Sequence, residues 1–195
     1  MKKFNLLSLL VLILVSCQKD DGTMIPVSTP PVIPEFGQTL SELNLFQDPL
    51  GNLQPSIYSF EYDLSTPLYT DYALKQRIIA LPPGTSMEFL DDGLPNFPNN
   101  TVIAKTFYYN LDDRDLSLGK NLIETRVMIK LNGTWEFGNY VWNEDQTEAI
   151  LDNEGSATPI TWIDTDGTSH DVNYKIPSLE NCFTCHQSYN IATPI

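Results

Sequence analysis

The chain has 195 residues, 42% of them apolar and 18% charged, the composition of one globular domain with a short appendage. Eleven Lys and Arg against 25 Asp and Glu give a formal net charge of −14. That balance excludes binding to a nucleic-acid backbone or to anionic lipid through a basic surface. Of the three cysteines, one ends an N-terminal apolar run and two sit near the C-terminus, which excludes a disulfide framework.

The first segment reads as an address. Lys2 and Lys3 precede 12 mostly apolar residues, 4–15. A bilayer span needs about 20, whereas a signal-peptide core needs this length. The run ends in Leu14-Val15-Ser16-Cys17, which resembles a bacterial lipobox. The resemblance implies a signal peptide over residues 1–16, cleavage before Cys17, and a lipid on the Cys17 thiol. Loss of Lys2 and Lys3 leaves 9 basic and 25 acidic residues, a net charge of −16. Gln18-Lys19-Asp20-Asp21 resembles the short acidic export signal of surface lipoproteins in the Bacteroidetes group; a plain solvated linker is the other reading. Pro26, Pro30, Pro31 and Pro34 then mark a semi-rigid stalk. At about 3.1 Å per residue it lifts a domain roughly 50 Å at most. Residues 17–38 are expected to be this lipidated tether. The protein is expected in the cell envelope, lipid-anchored at the outer membrane and exposed at the periplasmic face or the cell surface.

From residue 39 the pattern is that of strands. Leu40, Leu43, Leu45 and Phe46 suggest one short helical turn. Period-2 alternation dominates afterwards. In residues 122–131, Ile123, Thr125, Val127, Ile129 and Leu131 are expected on one face, with Leu122, Glu124, Arg126, Met128 and Lys130 on the other. Asn132-Gly133 predicts a hairpin into a second alternating run, 134–142. Another hairpin is expected over 162–172, turning at Asp166-Gly167. Residues 56–62, 77–81 and 102–109 are further strand candidates, and Pro82-Pro83-Gly84, Asp92-Gly93, Pro95 and Pro98 are turns. No helical pattern exceeds about two turns outside the signal. Residues 39–178 are therefore expected to form a mainly β domain, an antiparallel sandwich or barrel-like core.

Several polar and aromatic groups have plain structural readings. Tyr58, Phe60, Tyr62, Phe107, Tyr109, Trp135, Phe137, Tyr140 and Trp142 fall at strand spacing and read as core rather than a sugar platform. Glu124 and Arg126 read as an ion pair rather than catalytic groups. Asp164, Asp166 and Asp171 fit a turn better than an EF-hand loop. No Ser/His/Asp set, phosphate loop or paired catalytic carboxylates stand out, so an electron carrier is expected rather than a catalyst.

The chemistry concentrates in Cys182-Phe183-Thr184-Cys185-His186, the C-x-x-C-H signature of c-type haem attachment. Two thiols add across the two vinyl groups and form thioethers. The two-residue spacer matches the vinyl separation, and the adjacent imidazole ligates the iron. Haem c is the expected cofactor, with Cys182 and Cys185 attaching it and His186 as axial ligand. Attachment happens outside the cytoplasm, in agreement with the export signal. A zinc site and a redox or structural disulfide are the competing readings. For the distal ligand, His170 is the other histidine, and Met24, Met87 and Met128 are the thioether candidates of the mature chain. Only nine residues follow His186, none of them Met or His. Five-coordinate iron, His170, or a ligand beyond Ile195 remain, and the last is favoured.

The body resembles a family of bacterial exported c-type cytochromes, often dihaem. The resemblance runs through residues 40–46, 62–75, 81–85, 105–108, 122–126, 140–147, 172–177 and 182–186, nearly all of the mature domain. It implies haem-binding roles for Cys182, Cys185 and His186. Members are longer after the haem motif, so residues 179–195 are expected to be the start of an incomplete haem-binding segment. The haem count and the distal ligand stay open. The resemblance implies electron transfer with a redox partner, such as a sugar-dehydrogenase-like enzyme, steered by an acidic surface. The alternative is a β-rich binding lipoprotein whose Cys-x-x-Cys is a structural disulfide or zinc site.

Overall fold

A computed structural model describes residues 31–194 other than Pro67 and Asp92. The signal segment, Cys17, Met24 and the tether through residue 30 lie outside the described residues. Six antiparallel strands form an open meander in sequence order: β1 (Ser59–Glu61), β2 (Leu74–Ala80), β3 (Val102–Asn110), β4 (Lys120–Leu131), β5 (Thr134–Trp142) and β6 (Ala149–Leu151). A separate hairpin pairs β7 (Ser156–Ile163) with β8 (Ser169–Ile176). The chain then makes helix α1 (Leu179–Cys185) and a minimal hairpin of β9 (Gln187–Ser188) and β10 (Ile191–Ala192). The fold is mainly β and antiparallel, as the alternation predicts. None of the sheets closes, so it is no barrel.

Local chemistry places the turns. Asn132 and Gly133 have φ of 49° and 84°, the two left-handed residues a type I′ hairpin requires. The β7–β8 turn is wider. Asp164 Oδ1 accepts from the backbone N–H groups of Asp166 and Thr168, both at 2.9 Å, while Gly167 takes φ 84°. This hairpin starts six residues earlier than expected and ends four residues later. Pro159 weakens the sequence signal, yet β7 has a ladder partner on one side only, where a proline is tolerated. Strands β6, β9 and β10 are too short to show alternation.

Both faces of the meander are buried. One face carries Ile78, Ala80, Val102, Ala104, Val127, Ile129, Tyr140 and Trp142 under a cap made by Leu40, Leu43, Leu45, Phe46, Leu50 and Leu53. Two 3-10 turns, Ser41–Leu43 and Leu50–Asn52, shape that cap. Residues 38–40 also cover the β6 edge: Leu151 N–H donates to Gln38 O and Leu40 N–H to Ala149 O, both at 2.9 Å. Val32 and Phe36 already pack on this face, and Tyr140 Oη donates to Gly37 O at 3.1 Å.

The opposite face is covered in two patches. The β7–β8 hairpin lays Ile160, Trp162, Tyr174 and Ile176 over Phe107, Tyr109 and Ile123. The C-terminal segment brings Ala192 against Ile79, Phe97, Ile103, Met128 and Trp135. A β-bulge corrects the expected faces of β4. Phe107 pairs with Glu124 but Tyr108 pairs with Leu122, so Ile123 is extra. Leu122 consequently joins Val127 and Ile129, while Ile123 turns to the hairpin side. Most of the strand aromatics are core, as expected; Phe60, 41% exposed, is an exception.

Candidate functional site

The C-x-x-C-H motif lies on α1. Ser178 precedes the helix, and its N–H donates to Asn181 Oδ1 at 3.2 Å, which holds the first turn. Helical spacing then sets Cys182 and Cys185 on one side, one turn apart. His186 closes the helix by donating its N–H to Cys182 O at 3.0 Å. Both cysteines are free thiols; Cys182 is buried and Cys185 is exposed.

The sheet and the terminal hairpin fix His186. Phe137 of β5 meets His186 at 5.8 Å between ring centroids and Phe183 edge-on at 6.2 Å. Thr193 N–H donates to His186 O at 3.0 Å. Nδ1 of His186 is buried and has no hydrogen-bond partner. Burial lowers the His186 pKa below its ordinary value, and the positive charges of Lys105 and Arg126 push it the same way. The imidazole is thus held neutral, the form that ligates a metal. Burial raises the Cys182 thiol above its ordinary pKa, so it is kept protonated.

Beneath α1, the sheet carries a buried polar network. Glu124 is fully buried. Its Oε1 accepts from Arg126 Nε at 3.0 Å, from Arg126 Nη2, and from Tyr174 Oη at 2.7 Å. Its Oε2 accepts from Asn139 Nδ2 at 2.8 Å. The ion pair read from the spacing is therefore present within β4. Two cations of this neighbourhood, Arg77 and Lys105, were not singled out by the sequence. The signal available was Lys105 inside a largely apolar and aromatic run and Arg77 at the head of Ile78-Ile79-Ala80. Strand register is what brings them beside Arg126.

The distal-ligand candidates separate. His170 sits on β8, stacked on Trp162 at 5.0 Å, with Nε2 2.6 Å from Asp164 Oδ2. That places it over Tyr109 of β3, 4.8 Å from Trp162, whereas His186 sits over Phe137 of β5. The structure does not bring the two imidazoles together. Met128 lies directly across from Phe137 in the β4–β5 register, and Met87 packs on the same cluster. Of the aspartates, Asp164 builds the hairpin turn, whereas Asp171 lies in β8 and accepts from Thr161 Oγ1 of β7 across the ladder at 2.6 Å.

No family model, curated protein or solved structure matches this chain. What the site does chemically is argued from its own residues. Among the described residues, no three His, Cys, Asp or Glu side chains converge as a metal-ligand group. Haem asks less of the protein, since the porphyrin supplies four nitrogens and the chain need supply one axial imidazole. Two free thiols one turn apart, beside a neutral imidazole with an unpartnered nitrogen, fit that requirement.

Proposed function

We propose that the protein is an exported c-type cytochrome lipoprotein, anchored through Cys17 and carrying haem c on residues 182–186. The observation that carries this reading is the unpartnered, buried His186 Nδ1 one residue from a free Cys185, on a helix that presents Cys182 one turn earlier. Haem bound there supplies one-electron transfer between Fe(II) and Fe(III). Cys182 and Cys185 would hold the group through thioether bonds to its two vinyl groups. His186 would supply the imidazole that ligates the iron. Burial, with the charges of Lys105 and Arg126, keeps the imidazole unprotonated.

Cys182 is only 8% exposed. Attachment therefore calls for α1 to lift from β5, and final docking of residues 179–194 follows attachment. The ties that must open include Leu179 N–H to Asn153 O at 2.9 Å, the Phe137 ring contacts and the packing of Ala192 on the sheet. With a mature net charge of −16, the protein approaches a redox partner through that partner's basic surface. A sugar-dehydrogenase-like enzyme is the proposed electron donor, as the family resemblance suggests. Residues 179–195 are proposed to belong to the haem-binding segment.

The test is a pyridine haemochrome spectrum with intact mass, on protein made alongside a c-type maturation system. A c-type α-band and the added mass of one haem are expected. Both must vanish in Cys182→Ser/Cys185→Ser. A well-folded wild-type protein with no haem overturns the reading and leaves the binding-lipoprotein alternative.

A further inference from the structure

β2, β3 and β4 align Arg77, Lys105 and Arg126 directly opposite one another, Arg77 to Lys105 and Lys105 to Arg126. Like charges opposite each other in a sheet repel and destabilise it. A chain with 11 basic and 25 acidic residues has had every chance to place a carboxylate in this rung.

Two of the three cations have a carboxylate. Arg77, buried, donates to Asp63 Oδ1 at 3.1 Å, and Arg126 pairs with Glu124. Lys105 has no ion pair among the described residues. Its ammonium lies 5.2 Å from the centroid of the Phe107 ring, and the guanidinium of Arg126 lies 4.2 Å from the same ring. Burial, reinforced by Arg126, Arg77 and Lys75, pushes the Lys105 pKa down to about 8. The Glu124 charge acts the other way on Lys105, but its oxygens are taken by Arg126, Tyr174 and Asn139 and it makes no ion pair with Lys105. The rung also lies next to the haem motif: Arg126 pairs with Asn139 of β5, two residues along the strand from Phe137, whose ring meets His186 at 5.8 Å.

A repulsive row with one uncompensated cation, kept next to a helix that fits haem, is a seat for an anion. We propose that the Arg77–Lys105–Arg126 rung receives carboxylate, specifically the propionates of haem attached at Cys182 and Cys185. This rests on the haem reading above. Lys105 is the residue that distinguishes the site from a structural network, because it alone of the three makes no ion pair with a carboxylate. A free small carboxylate shares the same chemistry and is separated by experiment.

Full-length wild type, Lys105→Met, Lys105→Gln and Lys105→Arg are prepared with a c-type maturation system. Haem content is read by intact mass and the midpoint potential by titration. One haem per chain is expected in each. The potential should fall in Lys105→Met and Lys105→Gln, because a cation beside the haem favours the state with the extra electron, and should stay near wild type in Lys105→Arg. In haem-free Cys182→Ser/Cys185→Ser protein, adding Lys105→Met should raise the melting temperature, since repulsion is relieved with nothing lost. Haem-loaded Lys105→Met and Lys105→Gln with an unmoved potential overturn the propionate assignment while the haem reading stands. Wild type without haem overturns both. Saturable succinate binding to that haem-free wild type, lost in Lys105→Met, would instead give the rung to a free carboxylate.

Discussion

Arg126 reaches back two residues along β4 and donates through Nε to the fully buried Glu124 at 3.0 Å. Tyr174 and Asn139 close the remaining lone pairs. One carboxylate thereby joins β4, β5 and the β8 strand of the separate hairpin. Burial and the Glu124 charge in turn push the Tyr174 pKa well up, so its hydroxyl remains a donor. Glu124→Gln puts an amide among three donors. It should cost about 3–5 kcal/mol, the range for breaking a buried pair. Urea unfolding reads this, and a loss under 1 kcal/mol would show that the network is not sealed.

The pH dependence of Lys105 has a definite sign. Its folded-state pKa, about 8, lies below its ordinary 10.5. Below pH 8 the folded state carries the full penalty of a buried ammonium. Between about pH 8 and 10.5 the unfolded chain binds more protons, so stability rises with pH. The gain is on the order of 3 kcal/mol. Stability curves of haem-free Cys182→Ser/Cys185→Ser protein with and without Lys105→Met, measured from pH 7 to 10.5, should converge as pH increases. Parallel curves contradict the assignment.

Thr125 is a buried acceptor as well as a strand former. Its Oγ1 lies 3.0 Å from Trp142 Nε1 and 2.8 Å from Thr106 Oγ1. Thr125→Val keeps shape and strand propensity while leaving the indole N–H unpaired. Destabilisation of roughly 1–3 kcal/mol is expected. Thr106→Val alone should cost less, because Trp142 keeps its acceptor. Thermal melts of the two variants compare them directly.

Gly138 gives the segment before the domain its berth. A Cβ there would stand 2.5 Å from Phe36 Cδ1 and 3.3 Å from Leu151 Cδ1. Gly138→Ala must therefore displace Phe36, at about 1–3 kcal/mol. Limited proteolysis should then cut within residues 31–38 faster than in wild type. Adding Phe36→Ala should recover part of the lost stability, and no recovery would mean that the clash lies elsewhere.

Much of this protein is written in short-range chemistry. Alternation in 122–131 and 134–142, with Asn132-Gly133 between them, specifies the β4–β5 hairpin because only positive φ at both turn residues matches the strand twist. Cys182, Cys185 and His186 were legible as a C-x-x-C-H motif because the motif is a matter of spacing along one helical turn. Glu124 and Arg126 were legible as a pair for the same local reason.

Tertiary structure decided what no short window contains. The bulge at Ile123 exchanges the faces of Leu122 and Ile123, because its cause is the pairing with β3, about 15 residues away. His170 looked like a ligand candidate by residue type, yet its hairpin docks on Phe107 and Tyr109 and commits its ring to Trp162. The cation rung was invisible for the same reason. Arg77, Lys105 and Arg126 are some 20 to 30 residues apart in sequence, and antiparallel register alone sets them side by side. A sequence determines periodicity, turns and motifs through bonded geometry. Which charges and rings finally meet is settled by strand order and by the packing of two layers on one sheet.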